Sequence, residues 1–218
     1  MPTCDDVWIA IPTVCGPRLG DWVAAWRGLG FRVALYLDAG VTLPAGVTAA
    51  VMTGKYPGYA RAVNTLADRV FFVHGGALMA TGGDDVWPDP EWPAYRLRER
   101  FFSAFPDGNG IAQPAGGNMH DVETCCIAPL IGRGWWEKHY AGRGPYWPEY
   151  WHFWTDAELH DVAWRENHLQ LWRDVNWQHD HWFLKGVPPP DHIAKARALN
   201  ESDHQLYLAR KAAGFPGA

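Results

Sequence analysis

The sequence lacks the features of a membrane protein or a secreted protein. Across its 218 residues, no apolar run approaches the roughly 20 residues that a membrane-spanning helix requires. The opening residues, Met-Pro-Thr-Cys-Asp-Asp, contain neither the basic region nor the apolar region of a secretory signal peptide. We therefore expect no membrane segment and a cytoplasmic location, and no feature of the sequence implies a protein partner.

Cysteine is scarce, and its spacing excludes the usual cysteine frameworks. No spacing resembles that of a zinc knuckle, and adjacent cysteines rarely pair with each other. We expect reduced thiols, as in a cytosolic protein. The four cysteines are Cys4, Cys15, Cys125 and Cys126.

Positive charge is also in short supply. The formal net charge is −5, and Lys and Arg nowhere form the runs that duplex-binding proteins usually show. This argues against tight, nonspecific binding of nucleic acid. One local cluster, formed by Arg96, Arg98 and Arg100, leaves a small basic patch open.

Two common phosphate-binding loops are missing as well. Gly16 and Gly20 follow the first apolar run, but they do not form the Gly-x-Gly-x-x-Gly fingerprint of dinucleotide-binding domains. No Walker sequence is present, which argues against a P-loop kinase.

The remaining composition is that of one globular domain, which we place over residues 1–218. Hydrophobic residues make up 48% and charged residues 20%, so a normal core can form. Fourteen tryptophans are a large excess, and many fall between Trp135 and Trp182. They indicate either an aromatic-rich cleft in the C-terminal half or a core filled by large rings.

Apolar runs alternate with helix-like spacings in the N-terminal part of the chain. This alternation predicts an α/β fold with a mixed, mostly parallel sheet flanked by helices. Further along, the segment from Trp154 to Trp172 has helical character with Thr155 as N-cap, and one or two helices are expected between His192 and Gly214. The predicted strands are Val7 to Ile11, Phe31 to Leu37, Val47 to Met52 and Val70 to Val73, and the early helices are Leu19 to Leu29 and Tyr59 to Asp68.

Two adjacent carboxylates follow a middle apolar stretch. The sequence Ala77-Leu-Met-Ala-Thr-Gly-Gly leads into Asp84 and Asp85, which places both acids at or just beyond the end of a strand. Ligands of open α/β sheets gather at that edge. A pair of acids that merely caps or turns a loop is the alternative.

The order of these elements resembles that of the GT-A (Rossmann-like) glycosyltransferases, in particular the family 2-like nucleotide-sugar transferases in the short form found in bacteriophage genomes. The resemblance covers most of the chain, with a donor half at about residues 1–90 and an acceptor half at about 91–218. It rests on Ile11-Pro12-Thr13, Tyr59-Ala-Arg-Ala-Val-Asn64, Gly83-Asp84-Asp85, Trp154-Thr-Asp156-Ala-Glu158 and His179-Asp-His181.

The resemblance implies a divalent cation, Mn²⁺ or Mg²⁺, with Asp85 as ligand. Such ions prefer carboxylate oxygens and neutralise a departing diphosphate. Asp84 would contact the ribose or a metal-bound water. The family's usual motif is Asp-any-Asp, and because its first position here is Gly83, that contact is either missing or provided by Asp84.

His179 and His181 are the second pair of metal candidates. Residues i and i+2 face the same side in an extended segment. The family often provides a late histidine to the same ion, and we favour His181, followed by His179. The alternatives are two surface or structural histidines, or a zinc site made by both, although no Cys and no His-any-any-His lies nearby.

Asp156 and Glu158 are the candidates for general base, which removes the proton of the acceptor hydroxyl in inverting transfer. Asp156 matches an acidic position of the family at a helix start, where the helix N-terminus would keep it deprotonated. An ordinary acid in the first turn of a helix is the alternative. The donor-binding candidates that the resemblance implies are Pro12, Thr13, Asp38, Arg61, Asn64 and Asp84.

The predicted activity is metal-dependent, inverting transfer of a sugar from a nucleotide diphosphate sugar, with a UDP-sugar favoured because the family most often uses one. The favoured acceptor is a hydroxymethylated pyrimidine in phage DNA, which would place the protein in the host cytoplasm. The alternatives are a saccharide or small-molecule acceptor, a carbohydrate- or nucleotide-binding protein that kept the fold without catalysis, and a nucleotidyltransferase.

Overall fold

A mixed, mostly parallel seven-stranded sheet forms the centre of the protein, in a computed structural model that describes residues 6–181, 186, 188 and 191–218. The strand order is β3-β2-β1-β4-β7-β6-β8, and only β7 runs antiparallel to its neighbours. This confirms the predicted fold class. The strands are β1 Val7–Pro12, β2 Arg32–Asp38, β3 Ala49–Thr53, β4 Leu78–Ala80, β6 Ile111–Pro114, β7 Leu130–Gly132 and β8 Leu169–Trp172, while β5 Val86–Trp87 and β9 Gln178–His179 form a separate ladder.

Helices cover both faces of this sheet. Along β1, Val7 and Ile9 face one core cluster and Trp8 the other, as the alternation of side chains in a strand requires. Burial on both faces explains why β1 is continuously apolar. The helices are α1 Leu19–Gly28, α2 Tyr59–Ala67, α3 Ala94–Ala104, α4 Arg133–Lys138, α5 Thr155–Arg165, α6 Asp191–Arg197 and α7 Asn200–Ala212.

The tryptophan excess belongs largely to the core. Trp22 and Trp26 of α1 are fully buried, and Trp26 packs edge-on against Trp177 with ring centroids 5.0 Å apart. Trp8, Trp135 and Trp172 are also buried. Large rings therefore fill the space between the sheet and its covering helices.

The prediction of a strand over Val70 to Val73 is wrong. That segment is a π-helical turn, Asp68–Val73, which continues α2. Val70 and Phe71 are buried whereas Phe72 and Val73 are exposed, a pattern that matches one side of a helix rather than alternation. The run of β-branched and aromatic residues resembled a buried strand because its local composition is the same.

The predicted helix from Trp154 to Trp172 is two elements. Helix α5 ends at Arg165, and β8 begins at Leu169. Asn167 between them adopts a left-handed conformation with φ of 59°, which breaks the helix. At the other end, Trp154 occupies the N-cap position with φ of 66°, and Thr155 is the first helical residue.

Three cysteines are free thiols, and Cys4 lies outside the described residues. The segment predicted as helical, His192 to Gly214, corresponds to α6 and α7. The side chain of His192 is not among those that the structure describes. In the part of the chain that the structure describes, no helix is both long enough and apolar enough to cross a membrane.

Candidate functional site

A cleft of about 1140 Å³ opens at the carboxyl ends of β1, β2 and β4. Three parallel strands end at this edge, and the loops that follow them provide Thr13, Asp38 and the Gly82-to-Asp85 segment to its wall. The C-terminal half contributes the opposite wall through the start of α5 and the segment from His179 to His181. The cleft therefore lies where open α/β sheets bind their ligands.

Asp85, His179 and His181 come together in this cleft. One ligand atom from each lies within 4.8 Å of the other two. The β5–β9 ladder creates the cluster, because it pairs Val86 with His179 in antiparallel register, and the Asp180 amide donates to the Asp85 carbonyl at 2.7 Å. Alternate residues of an extended segment point the same way, so both histidines face the carboxylate.

The electrostatics of this cluster suit a cation. Burial acts to raise the pKa of Asp85, but a hydrogen bond from His179 and the two histidine charges lower it below its ordinary value. Nε2 of His179 lies 3.5 Å from Oδ2 of Asp85. Its Nδ1 is buried without a hydrogen-bond partner among the described residues. One carboxylate and two imidazoles are a donor set that fits Mn²⁺ or Zn²⁺.

A side chain at Gly83 would collide with the Asp85 carboxylate. A Cβ at this position would stand 2.3 Å from Oδ1 of Asp85. The glycine at the first position of the Asp-any-Asp pattern therefore allows the Asp85 carboxylate to fold back over the chain. Asp84, by contrast, points toward β1, where its Oδ2 accepts a hydrogen bond of 2.5 Å from the Thr13 hydroxyl.

The predicted donor residues divide into two groups. Pro12, Thr13, Asp38 and Asp84 all line the cleft. Arg61 and Asn64 are not among its lining residues.

Arg61 and Asn64 connect α2 to the segment around residues 144–148. The Arg61 Nε donates to the Pro148 carbonyl at 2.9 Å. The Asn64 amide is buried, donates to the Tyr146 carbonyl at 2.9 Å and accepts from its N–H at 3.1 Å. These contacts use the polar groups that the sequence assigned to the donor, so we leave both residues out of the donor site.

Asp156 lines the cleft from the first turn of α5. Burial raises the pKa of its carboxyl above the ordinary value, and the hydrogen bond from the Ala157 amide at 3.0 Å offsets this only in part. The sequence expectation was that the helix N-terminus would keep the group ionised, but desolvation exceeds that effect here. A carboxyl with a raised pKa is a stronger base when ionised.

Glu158 lies on the other side of α5 and does not line the cleft. Its side chain is 1% exposed, and its two oxygens accept hydrogen bonds of 2.8 Å from Nε and Nη2 of Arg210. The Tyr150 hydroxyl donates to the same carboxylate at 2.8 Å. The structure therefore gives Glu158 the role of joining α5 to α7, and we do not retain it as a base.

The sequence indicated an aromatic-rich cleft as one alternative but did not identify its residues, which form an aromatic wall of Tyr56, Tyr59, Trp151, His152 and Phe153. All five line the cleft. Tyr56 meets Trp151 edge-on with ring centroids 6.3 Å apart, and Tyr59 meets His152 in the same way at 5.7 Å. The signal was present in the run Tyr-Trp-His-Phe-Trp at residues 150–154, but its position beside the cleft depends on tertiary packing.

His120 was also missed. It lines the cleft and stacks on His179 with ring centroids 5.2 Å apart and an interplanar angle of 17°. Burial lowers the pKa of His120, and the positive charge of His179 lowers it further. A lone histidine in a Gly- and Asn-containing loop carries no sequence signal for such a placement.

Comparison with known proteins gives only distant structural similarity. No protein-family model and no curated protein matches the chain. Similar solved structures include a variant of Drosophila β1,4-galactosyltransferase 7 in complex with manganese, UDP-Gal and xylobiose (13% identity, 88% of this chain and 79% of that chain, TM-score 0.49). They also include a protein from STIV (11% identity, 79% and 84%, TM-score 0.46) and a glucose-1-phosphate thymidylyltransferase of Bacillus anthracis in complex with sucrose (11% identity, 88% and 94%, TM-score 0.46). At these identities and TM-scores the similarities do not assign an activity to this chain.

Proposed function

We propose that this protein is a metal-dependent glycosyltransferase that takes a sugar from a nucleotide diphosphate donor, with a UDP-sugar favoured, and inverts the anomeric carbon. One observation carries the proposal: the Asp85, His179 and His181 cluster shares a single cleft with the buried carboxyl of Asp156. A cation site and a separate base are the two groups that a metal-dependent inverting transfer uses.

The donor half of the cleft would bind the nucleotide. Asp85, His179 and His181 would hold a divalent cation, with Mn²⁺ favoured over Mg²⁺ by the two imidazoles, and the ion when bound would neutralise the charge of the leaving diphosphate. The Thr13 hydroxyl holds the Asp84 carboxylate near the end of β1, and this carboxylate would accept a hydrogen bond from a ribose hydroxyl. Asp38, at the end of β2, would face the nucleoside.

Asp156 would act as the general base. The acceptor oxygen forms a bond to the anomeric carbon as the bond from that carbon to the diphosphate oxygen breaks, and the hydroxyl proton passes to the Asp156 carboxylate. The burial that raises the pKa of Asp156 makes the carboxylate a better proton acceptor than an exposed aspartate. Both reacting groups would lie within the same cleft.

The aromatic wall supports a sugar as the transferred or accepting group. The flat faces of Tyr56 and Trp151 are apolar surfaces of the kind on which sugar rings pack. Gly58 packs closely against the backbone of Trp151, and the contact leaves no space for a Cβ at Gly58. The φ of Gly58 is 98°, which also favours glycine. The ring is therefore held in place from behind.

The charge around the cleft favours a neutral acceptor over DNA. Among the described lining residues there is no Lys or Arg, while Asp121 adds to the carboxylates already named and the carboxylate of Asp180 pairs with Arg18. Phosphate backbones are bound chiefly through Lys and Arg. We therefore propose a saccharide or another neutral hydroxyl compound as acceptor, in place of the DNA base that the phage-like resemblance favoured.

The arginine cluster does not provide the missing positive patch. The Arg96 guanidinium lies over Trp92 at 4.5 Å, and Arg98 pairs with Asp6. Arg100 contacts both oxygens of the Asp174 carboxylate at 2.8 and 2.9 Å. These charges are engaged within the fold.

Turnover of a donor panel tests the proposal. The protein is incubated with Mn²⁺ and nucleotide sugars, together with neutral saccharides or hydroxymethylated DNA, and the released nucleoside diphosphate is measured. We expect release that depends on metal and is stimulated by a saccharide. Stimulation by DNA alone would overturn the acceptor, release of pyrophosphate would indicate a nucleotidyltransferase, and absence of release with every donor would leave a binding protein.

A further inference from the structure

His120 is fixed beside the metal-binding cluster by its own loop. The Asn118 side chain donates to the His179 carbonyl at 3.0 Å and accepts from the His179 amide at 2.6 Å, so it pairs with β9 as a neighbouring strand would. Met119 and Val122, on either side of His120, are buried in the core. The hydrogen bonds of Asn118 and the buried side chains of Met119 and Val122 therefore both restrain the loop that carries the His120 ring beside His179.

The loop has little freedom to lie elsewhere. The Gly117 amide donates to Oδ1 of Asn176 at 3.0 Å, and a Cβ on Gly117 would stand 2.5 Å from the Trp177 carbonyl. Gly117 also has a φ of 67°, which residues with a side chain rarely adopt. Close packing against the segment before β9 thus requires glycine.

The three imidazoles have the spacing of ligands that surround one ion. A metal-bound imidazole nitrogen lies about 2.1 Å from the ion, so ring centres of neighbouring ligands lie roughly 4.5–5.5 Å apart. The separations of 4.8 Å between His179 and His181 and 5.2 Å between His120 and His179 fall within this range, and the 5.6 Å between His120 and His181 lies just above it.

The His120 ring also has an unused donor atom. Its Nδ1 is buried and has no hydrogen-bond partner within the described part of the chain. A buried polar atom without a partner costs free energy, and its presence beside a metal-binding cluster calls for an explanation. His120 is not one of the three residues whose ligand atoms lie within 4.8 Å of one another, but its ring is adjacent to both histidines of that set.

We propose that His120 is a further ligand of the cation, which makes the site one of three imidazoles and one carboxylate. The inference rests on the proposed metal site of Asp85, His179 and His181. Imidazole nitrogen binds Mn²⁺, Co²⁺ and Zn²⁺ more readily than Mg²⁺, which prefers oxygen. The site therefore selects transition metals over magnesium, and Asn118 is a positioning residue for it.

Titration of the full-length protein with Co²⁺, followed by its visible absorption, tests the assignment. We expect His120→Gly to weaken Co²⁺ binding by about 10- to 100-fold or more and to change the absorption band, because one nitrogen donor is lost. Added free imidazole should restore both the affinity and the band. Mg²⁺ affinity should change much less. His74→Gly is the matched control, since the His74 ring packs against Trp8 at the opposite end of β1 from the cleft.

The outcomes separate this inference from the metal site itself. Wild-type affinity and an unchanged band in His120→Gly would overturn the role of His120 and leave the three-residue site standing. Absence of Co²⁺ and Mn²⁺ binding by the wild-type protein would overturn both. If His120→Gly does not fold, as judged by circular dichroism, His120→Gln keeps the side-chain volume, and an unaltered Co²⁺ band in that variant would equally overturn the assignment.

Discussion

Replacing Glu158 by Gln separates a structural carboxylate from a catalytic one. Two acids lie two positions apart on α5, and the sequence alone offers both as the base. In the structure, Glu158 is 1% exposed and forms a two-bond pair with Arg210, whose guanidinium also lies 3.6 Å from the Trp147 ring centroid. Glutamine keeps the shape of the side chain and removes its charge.

The expected cost follows from the burial of the pair. Removing one partner of a buried ion pair leaves an uncompensated charge and costs about 3–5 kcal/mol. For a domain of this size, each kcal/mol lowers the melting temperature by about 2–4 °C, so Glu158→Gln should melt roughly 6–20 °C below the wild type. The Gln oxygen can still accept from Tyr150 and Arg210, which favours the lower part of that range.

Calorimetry and urea unfolding measure the loss of stability in Glu158→Gln. The control is the same Glu-to-Gln change at an exposed ion pair. Glu137 forms an i,i+4 pair with Arg133 in which both side chains are about half exposed, so Glu137→Gln should cost only a few tenths of a kcal/mol. A second comparison is Glu158→Met combined with Arg210→Met, which removes both charges. We expect the double variant to be more stable than Glu158→Gln, since no buried charge is left without a partner.

Activity per folded molecule completes the test. Because Glu158 does not line the cleft, Glu158→Gln should keep wild-type turnover at temperatures well below its melting transition. A variant that melts within about 2 °C of the wild type and has lost turnover would refute this reasoning, since each kcal/mol is worth about that shift. Glu158 would then belong to the chemistry rather than to the α5–α7 contact.

Three further predictions concern the cleft. Asp85→Asn should abolish metal-dependent turnover and weaken Mn²⁺ binding in electron paramagnetic resonance titrations, with little change in melting temperature, because a carboxylate at the sheet edge adds little to the core. Gly83→Ala should also weaken Mn²⁺ binding, since its Cβ would displace Oδ1 of Asp85, whereas Gly28→Ala, with open space around its Cβ, should bind normally. The raised pKa of Asp156 means that the folded state binds a proton more tightly than the unfolded state, so ionisation costs stability as the pH rises above the unfolded pKa. Asp156→Asn should therefore be at least as stable as the wild type at pH 7 while losing about 100-fold or more in kcat. In the wild type, the acid limb of the pH–rate profile should lie above the ordinary aspartate range. A rate that begins to fall only below about pH 4 would contradict this assignment.

Local sequence patterns predicted the N-terminal part of the fold well. The apolar runs of β1 and β2 are buried on both faces of the sheet. A continuous apolar run is the pattern that such a strand requires, so the sequence predicts these strands directly. The run from Val70 to Val73 misled because a buried helical turn and a strand can share the same composition over four residues. The end of α5 was missed because it depends on the backbone conformation of one residue, Asn167.

The candidate site was predictable only where its residues lie in short motifs. Asp84 and Asp85 directly follow a strand, and His179 alternates with His181, so their positions could be argued locally. Asn64 was assigned to the donor because a polar residue on a helix has the same local pattern whether it faces a ligand or, as here, a neighbouring carbonyl.

Residues that reach the cleft through tertiary packing had no such pattern. His120 approaches the cluster only because Asn118 pairs with β9, a contact between distant parts of the chain. The aromatic wall likewise depends on how the segment before α5 packs over α2.

The short β5–β9 ladder has a consequence for how the protein can be divided. Asp85 lies beside β5 in the first half of the chain, while the two proposed histidine ligands, His179 in β9 and His181 just after it, come much later in the chain. A cation bound between them would act as a cross-link that closes a long loop of the chain, and binding to the native state alone would stabilise the whole domain through mass action. A fragment that ends before β9 would therefore lose both histidines and with them the proposed ion, and the melting temperature of the intact protein should rise with metal concentration.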